Sequence, residues 1–368
     1  MLTRCAMCCT TDMFVSNSIG VCADCIRRDP ELSLRRALET HRRSRADYGL
    51  PPSPPRASDG IACNLCANEC RIGIGQKGYC GLRSNAKGKL ESLSTASIGL
   101  LYAYEDPHVS NCCAAWFCPA GTGAGYPKYA HTSWSETGYS NLAVFFYGCN
   151  FDCLFCQNYS HKNLTGAEKV SDDEFAGIVA RNRRLSCICF FGGSPEPQLQ
   201  YALTVSRRVL EENRGRIMRI CFEWNGGGNM ELVKRAAELS YASGGNIKFD
   251  LKCFEPALSM ALSGVDNKRS YENFAMIARE YRGRRSELPM LTATTLLVPG
   301  YVDASEVESI ARFISDLDRG IPYSLLVFHP NYLMVDLPVT PRRQVEECYS
   351  VAKRYLDRVH VGNLHLLA

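Results

Sequence analysis

The chain has 368 residues, 46% hydrophobic and 22% charged, which is an ordinary globular mixture with room for one large α/β domain and additional segments. Its net charge of +4 is too mild to indicate nucleic-acid binding by itself. No apolar run approaches about 20 residues, and the first residues lack the apolar stretch of a signal peptide, so neither a membrane span nor secretion is expected. Twenty cysteines in such a chain indicate metal or redox chemistry in a reducing cytoplasm rather than disulfides.

Two cysteine pairs, Cys5-x2-Cys8 and Cys22-x2-Cys25, open the chain, and we call these four residues the N-terminal thiol set. This spacing is typical of a zinc ribbon, and a segment so short cannot bury a core, so we expect it to fold around zinc. Cys9 is a spare neighbour of Cys8 and leaves the ligand assignment there open. The simpler alternative is two unrelated reduced pairs.

A highly charged helix is predicted over residues 29–48. A solvated face is the simpler interpretation of its arginines, and a basic patch for an acidic partner is the alternative. The stiff PPSPP linker that follows indicates a domain boundary. We therefore divide the chain into a ribbon and helix at 1–50, a linker at 51–58, a cysteine-rich segment at 59–135 and a barrel at 136–368.

The cysteine-rich segment contains Cys63-x2-Cys66-x3-Cys70-x9-Cys80, which we call the second thiol set. Four cysteines in eighteen residues, with glycines between them, predict a second metal site. The spacing leaves both zinc and a second iron–sulfur cluster open. A further group, Cys112, Cys113 and Cys118, matches no metal site, and buried or spare thiols are the favoured interpretation.

From residue 141 onward, short apolar runs alternate with helical patterns. The predicted strands are 142–147, 186–191, 218–223, 246–251, 291–298 and 324–328. The predicted helices are 171–183, 198–213, 230–243, 270–282, 304–316 and 341–356. Repeated β-α units imply parallel strands with right-handed crossovers. The sequence therefore predicts an α/β fold, a partial (β/α)6 TIM-like barrel preceded by cysteine-rich metal-binding segments, with its active site at the carboxyl ends of the strands.

Three cysteines follow the first barrel strand as Cys149-x3-Cys153-x2-Cys156, and we call residues 149–156 the triad loop. A closed structural zinc site requires four protein ligands, whereas three thiolates suit a four-iron cluster with one iron left open. The nearest downstream cysteine, Cys187, is some thirty residues away, so nothing local supplies a fourth ligand. A zinc knuckle or a ferredoxin-like cluster is the plainer alternative.

Polar residues stand at most of the other strand ends, where a barrel active site would form. Each has an ordinary explanation alone: Asp250 and Lys252 share a strand face and could form a simple ion pair, and His329 could be structural. Their joint occurrence favours a functional set. Its members beyond the cysteines are Gly192, Gly193, Ser194, Glu223, Asp250, Lys252 and His329.

The motif FFYGCNFDCLFCQN resembles the signature of the radical S-adenosylmethionine (SAM) superfamily. Together with CNLC…GYCGLR, EDPH at 105–108 and FHPNYLMVDLPVTP…VHVGN, it resembles the pyruvate formate-lyase-activating-enzyme-like proteins of the AmmeMemoRadiSam group over residues 60–368. The resemblance implies that Cys149, Cys153 and Cys156 hold a [4Fe-4S] cluster whose fourth iron is chelated by SAM, with Phe155 near the adenine.

The same resemblance implies roles for the strand ends. Gly192 and Gly193 stand where the group has a Gly-Gly-Glu-Pro motif that binds the SAM amino group through its backbone, but here Ser194-Pro195 follows and Glu-Pro comes two places later. Glu223 takes the place of the acid in Asp-Thr-Asn-Gly. Asp250 and Lys252 match an Asp-Leu-Lys motif near the methionyl group, and His329 matches a histidine that touches SAM or substrate.

The implied reaction is reductive SAM cleavage to a 5'-deoxyadenosyl radical that abstracts hydrogen from a substrate. On the analogy of glycyl-radical activases, the expected substrate is a partner protein, which the ribbon and the basic helix would help to dock. Ferredoxin or flavodoxin would supply the electron, and oxygen sensitivity implies an anaerobe or a protected compartment. Small-molecule or RNA modification and an inactive zinc-ribbon adaptor are the alternatives. Cys253, Tyr301 and His329 are the candidates for contacting substrate.

Overall fold

The structure, a computed structural model, describes residues 2–110, 112–285 and 288–367. Small elements fill the first hundred residues. They are β1 (Thr3–Arg4), β2 (Thr11–Asp12), α1 (Ala23–Arg28), α2 (Pro30–Ala46), β3 (Ile61–Ala62), β4 (Arg71–Ile72), β5 (Arg83–Ala86) and β6 (Lys89–Ser92). The strands pair as three antiparallel ribbons, β1 with β2, β3 with β4, and β5 with β6.

A nine-stranded sheet forms the centre of the protein. Its strands are β7 (Ile98–Pro107), β8 (Ser140–Phe146), β9 (Lys169–Ser171), β10 (Leu185–Phe191), β11 (Arg219–Trp224), β12 (Ile247–Asp250), β13 (Leu291–Leu297), β14 (Tyr323–Val327) and β15 (Val359–Gly362). Their order across the sheet is β15-β14-β13-β12-β11-β10-β8-β7-β9. In this spatial order, every neighbouring pair from β15 across to β8 is parallel. β7 lies between β8 and β9 and is antiparallel to both.

Helices connect the parallel strands. They are α4 (Asp172–Arg181), α5 (Leu199–Glu212), α6 (Met230–Ser243), α7 (Pro256–Ser263), α8 (Lys268–Glu280), α9 (Ala304–Leu317) and α10 (Arg342–Tyr355), after a single turn, α3 (Pro119–Thr122). Local signals fix their ends. Ser171 and Glu174 form a capping box at α4, and Asn229 caps α6, which ends at the left-handed Gly244.

The predicted α/β barrel fold is confirmed: all six predicted strands and all six predicted helices are present, with ends that differ by one or two residues at most positions. The described parts of β9 and β15 are the two edges of one open sheet, so the barrel is partial. In the central sheet, three strands (β7, β9 and β15) were not predicted. Among the helices that connect its strands, α7 was not predicted. Because β7 belongs to the central sheet, the sheet begins before residue 136, where we had placed the start of the barrel.

The alternation of side chains divides the sheet into two faces. On the outer face, Phe190 pairs in register with Phe222, their rings 5.1 Å apart, within the apolar core beneath the helices. On the inner face, Glu223 pairs in register with Lys248, and Asp250 lies two residues further along β12. The apolar core therefore lies outside the barrel, and the polar side chains of the strands point to its interior.

None of the helices in the described ranges combines the length and the apolar character that crossing a membrane would require.

Candidate active site

A cavity of about 240 Å³ opens at the carboxyl ends of the parallel strands, where the barrel prediction expects the site. It is lined by residues from the triad loop and from the ends of β8 and β10 to β14. The predicted site residues among them are Cys149, Cys153, Phe155, Cys156, Gly192, Gly193, Ser194, Glu223, Asp250 and Lys252. Residues that are more than a hundred positions apart in the sequence therefore share one wall.

The triad loop leaves β8 through Gly148, whose φ of +75° is accessible to glycine at little cost. Its backbone is tied to the end of α7: Asp152 N donates to Ser263 O at 2.8 Å and Leu154 N donates to Leu262 O at 2.9 Å. Phe151 N points at the sulfur of Cys149 at 3.3 Å. This anchoring turns all three cysteines toward the cavity.

The glycine pair after β10 brings backbone into the cavity wall. Gly193 has φ +65°, and a Cβ there would lie 1.8 Å from Phe146 O, so only glycine fits. Ser194 lines the cavity and accepts a hydrogen bond from Asn225 N at 3.1 Å, whereas Glu196 is buried behind it and accepts from Gly226 N at 2.7 Å.

The charged residues of the inner face meet at the cavity floor. Lys252 is paired with Oδ2 of Asp250, and its ammonium lies 5.6 Å from the ring centre of Phe155. Asp250 Oδ1 is shielded from solvent and has no hydrogen-bond partner among the described residues. Burial raises the pKa of Glu223 to about 7. The charge of Lys248, whose Nζ lies 3.3 Å from Glu223 Oε2, acts in the opposite direction. An orphaned carboxylate oxygen beside an ammonium is suited to a ligand that carries both charges, such as an amino acid group.

Several lining residues were not predicted. Phe145, Asn158, His161, Phe191 and Asn225 also line the cavity. Asn225 follows Glu223 within the Glu-Trp-Asn-Gly motif and could have been found from it, whereas Phe145 and Phe191 are ordinary strand residues in the sequence. Their rings stack at 5.4 Å and give the cavity an aromatic side.

The structure does not bring the three substrate candidates to the cavity. His329 is exposed and is not among the residues that line the cavity. Tyr301 is fully buried, where its hydroxyl donates to Val21 O and accepts from Ser16 N. Cys253 is fully buried as well, and its sulfur contacts Glu255 O at 3.7 Å. None of the three candidates lines the cavity, and Tyr301 and Cys253 make local contacts instead.

The N-terminal thiol set is compact. The sulfurs of Cys5 and Cys25 are 3.8 Å apart, and so are those of Cys8 and Cys22. A tetrahedral zinc with Zn–S bonds of about 2.3 Å requires S···S separations of about 3.8 Å. Within the described ranges, this is the one group of three or more cysteine, histidine or acidic ligands whose atoms all lie within 4.8 Å of one another. Cys9 is not a member, so the geometry favours Cys8.

The sulfurs of the second thiol set and those of the triad loop do not meet the 4.8 Å limit on the separation of ligand atoms in the described structure. The fold nevertheless places the two regions side by side. Cys70, Tyr79 and Phe151 pack in one apolar cluster, which Cys149 and Cys153 border. Asn68 donates to Asn150 O at 2.7 Å, and Cys66 forms a β-bridge with Gly228. The second set therefore lies directly against the backbone of the triad loop.

The third cysteine group lies at the inner face of the barrel. Lys248 donates to the sulfurs of Cys112 and Cys189, both at 3.0 Å, and Thr294 donates to Cys113 at 3.3 Å. A hydrogen bond from Cys113 holds the pKa of Cys112 well below its ordinary value despite burial, and the charge of Lys248 acts in the same direction. Cys118 is buried, and Cys112 accepts a hydrogen bond from the ammonium of Lys248 in the interior. Residue 111 lies outside the described residues.

Comparison with known proteins agrees with this geometry. The radical SAM superfamily profile matches residues 143–314. An uncharacterized protein of Methanocaldococcus jannaschii is 23% identical over 313 residues, 83% of this chain and 81% of the relative. A second protein of that organism, provisionally named a glycyl-radical enzyme activating enzyme, is 27% identical over 62% of this chain and 82% of the relative. The isethionate sulfite-lyase activating enzyme of Desulfovibrio desulfuricans is 34% identical over 136 residues, 36% of this chain and 39% of the relative.

Among solved structures, a domain of a pyruvate-formate lyase-activating enzyme from Bacteroides vulgatus superposes with a TM-score of 0.39 and 16% identity, over 48% of this chain and 98% of that domain. Streptococcus suis SuiB superposes with a TM-score of 0.44 and 14% identity, over 60% of this chain and 48% of that chain. The triad loop and the barrel strands that line the cavity lie within or directly beside the matched residues 143–314, so this chain carries a domain of the radical SAM superfamily, and its relatives include proteins named as glycyl-radical activating enzymes.

Proposed function

We propose that the protein is a radical SAM enzyme that cleaves SAM reductively and uses the resulting radical to abstract hydrogen from a partner protein. The observation that carries this proposal is the shared cavity: three cysteines, the glycine backbone after β10 and the Asp250–Lys252 pair line one space of about 240 Å³. A bound [4Fe-4S] cluster and SAM would supply electron transfer to the sulfonium group and the 5'-deoxyadenosyl radical.

The residues present fit these groups. Cys149, Cys153 and Cys156 are the iron ligands in the proposal, and the three-ligand set leaves one iron position for a small-molecule chelator. Asp250 Oδ1 lacks a partner among the described residues and would accept a hydrogen bond from the ammonium of the methionyl group. Lys252 would face its carboxylate. The backbone at Gly192 and Gly193, which lines the cavity, would bind the remaining polar edge, and Phe155 would pack on the adenine.

The cavity walls would also limit access of water to the radical. Phe145 and Phe191 form an aromatic side of the cavity, and Glu223 closes the floor. Apolar walls of this kind exclude water. His329 is exposed outside this cavity, so we assign it no role in binding SAM.

The substrate class rests on the names of relatives. One relative is named a glycyl-radical enzyme activating enzyme, and another is named an isethionate sulfite-lyase activating enzyme. Such names denote a protein as the target. We therefore propose a protein substrate here, with ferredoxin or flavodoxin as the electron donor.

A second iron–sulfur cluster is our proposal for Cys63, Cys66, Cys70 and Cys80. In the described structure this set is too open for a single tetrahedral ion, and in this it resembles the triad loop rather than the N-terminal thiol set. In a four-iron cluster each cysteine binds a different iron, so the sulfurs stand farther apart than around one ion. Its packing against Phe151 of the triad loop would suit an electron relay.

The test is anaerobic reconstitution with iron and sulfide, followed by dithionite and SAM. The proposal expects formation of 5'-deoxyadenosine by the wild-type protein and none by Cys153→Ala, which should remain folded. About eight irons per chain would support the second cluster, and about four would leave the second thiol set to zinc. Reconstituted wild-type protein that holds iron but forms no 5'-deoxyadenosine would overturn the proposal.

A further inference from the structure

Asp152, in the triad loop between Cys149 and Cys153, is fully buried beneath the cavity and carries a cluster of charges. Lys162 lies 2.5 Å from its Oδ1, and Arg45 lies 3.4 Å from the same oxygen. His41 lies 2.8 Å from Oδ2. Two of these three partners of Asp152, His41 and Arg45, come from α2, the helix whose charges were expected to face solvent.

His41 lies between two hydrogen-bond acceptors. Its Nδ1 faces the carboxylate of Asp152 at 2.8 Å, and its Nε2 faces Ala261 O at 3.1 Å. His41 therefore bridges the triad loop and α7, the helix whose last residues also bind the backbone of the loop.

Arg45 joins three segments. Its Nε donates to Pro51 O at 2.6 Å, another nitrogen donates to Tyr79 O, and its guanidinium stacks 3.5 Å from the Tyr79 ring centre. Tyr79 immediately precedes Cys80 of the second thiol set. One side chain thus connects the linker, the second thiol set and Asp152. A planar guanidinium with five donors is suited to such a role, and lysine would fill only part of it.

The N-terminal thiol set determines where α2 lies. Asp29, which caps α2, donates its backbone N–H to Cys25 O at 3.0 Å, and Thr40 donates to Ser18 O at 2.7 Å. The ribbon is fixed to the barrel as well, since Ser16 N donates to Tyr301 OH at 3.0 Å and Arg27 pairs with both oxygens of Asp303 at 3.0 Å. A ribbon this small orders around its metal.

The buried charges do not balance. The single carboxylate of Asp152 faces the charges of both Arg45 and Lys162, so positive charge remains beside a loop whose cluster would gain negative charge on reduction. Nearby positive charge favours the more negative, reduced form and raises the reduction potential. A buried network of this kind adds little net stability, but removing one member leaves uncompensated charge and is costly.

We infer that the N-terminal segment clamps the triad loop: zinc at the N-terminal thiol set holds α2, and His41 and Arg45 of α2 are positioning residues that fix Asp152 between the cluster ligands. The inference rests on the proposed cluster in that loop. The ligand of the N-terminal thiol set is a divalent zinc ion in a structural site. The clamp affects the stability and the reduction potential of the cluster.

The test compares Arg45→Gln with Arg45→Lys and with Arg43→Gln, a control on the same helix whose side chain is 77% exposed. Each reconstituted protein is examined by redox titration of its EPR signal and by the rate at which a chelator removes cluster iron. Arg45→Gln should shift the midpoint potential to more negative values and release iron about tenfold faster or more. Arg45→Lys should restore the potential, and Arg43→Gln should match the wild type.

Two further outcomes keep the inference falsifiable. If Arg45→Gln fails to fold, Asp152→Asn, which keeps the size of the side chain, should show the same faster iron release. Cys22→Ser should lose zinc and also accelerate iron release. The inference is overturned if folded Arg45→Gln or zinc-free protein matches the wild type in potential and iron release. A wild-type protein that binds no iron would instead refute the proposed function.

Discussion

The N-terminal thiol set and the triad loop are both built from closely spaced cysteines, yet they have opposite geometries. The first holds four sulfurs within 4.8 Å of one another, at a distance from the barrel cavity. The second presents three cysteines to a cavity of about 240 Å³ that also contains an orphaned carboxylate oxygen and an ammonium. The first arrangement can satisfy one ion completely, whereas the second leaves room for a ligand.

This contrast shows what decides between a structural and a reactive metal site. Ligand number and sulfur separation matter more than the Cys-x2-Cys spacing, which both regions contain. The surroundings of the two sites differ as well. The N-terminal thiol set is bordered by hydrogen bonds of short ribbons, and the triad loop by glycine backbone and charged side chains at strand ends.

The largest effect is expected from the triad loop. Cys156→Ser should abolish formation of 5'-deoxyadenosine to background, because a cluster with two protein ligands would not be retained. Zinc content should stay at one per chain, measured by elemental analysis of the same sample. Loss of zinc together with iron would show that the two sites are not separable, and the contrast would fail.

The second effect concerns the N-terminal thiol set. Cys8→Ser should lose the zinc, because the three remaining thiolates bind it less tightly. Cys9→Ser is the matched control, since Cys9 is exposed and lies outside the compact group. Zinc that survives Cys8→Ser but not Cys9→Ser would reassign the ligand and contradict the geometry.

Binding of SAM gives the third comparison. Lys252→Met should weaken SAM binding by about 10- to 100-fold, because a hydrogen bond to a charged group is worth about 1.5–3 kcal/mol. Lys268→Met, on the exposed surface of α8, should leave the affinity unchanged. Equilibrium dialysis of the reconstituted proteins measures both. Equal affinities for the two variants would remove Lys252 from the site.

The smallest effect is a pH dependence. Burial raises the pKa of Glu196 to about 7, so the folded protein holds this proton more tightly than the unfolded chain does. The free energy of unfolding of the apoprotein should therefore fall as pH rises from about 4.5 to 7, by about 3 kcal/mol from this residue. Glu196→Gln keeps the acceptor for Gly226 N and should remove that part of the fall.

Urea unfolding at a series of pH values measures this effect, with Glu211→Gln on the exposed surface as control. Glu223, whose pKa is also raised to about 7 by burial, contributes a similar decline that should persist in Glu196→Gln. An identical pH profile for the variant and the wild type would mean that Glu196 is not protonated in the folded protein.

Much of the barrel was predictable from the sequence, because parallel strands buried on both faces are short apolar runs separated by amphipathic helices. The strands that were missed are those that lack this signal. β7 carries aromatic and acidic residues beyond the three positions that the edge strand β9 covers, and the edge strand β15 is only four residues long. Edge strands are half exposed, so their sequences do not show continuous burial.

The candidate site was predictable where residues follow strands directly. Glu223, Asp250 and Lys252 line the cavity because the carboxyl ends of parallel strands meet at one rim. His329 follows β14 in the same way, but it is exposed and does not line the cavity, and spacing alone could not show this. The contacts of Asp152 with His41 and Arg45 span more than a hundred residues, and local patterns contain no information about them.

The central claim is that the triad loop leaves one iron position open to SAM in this cavity. The most direct measurement is electron–nuclear double resonance on the reduced cluster with SAM labelled by ¹⁵N in its amino group and ¹⁷O in its carboxylate. Our account predicts that both labels couple to the cluster and that Lys252→Met weakens or shifts these couplings. A spectrum that is unchanged by SAM, with no coupling from either label, would contradict it.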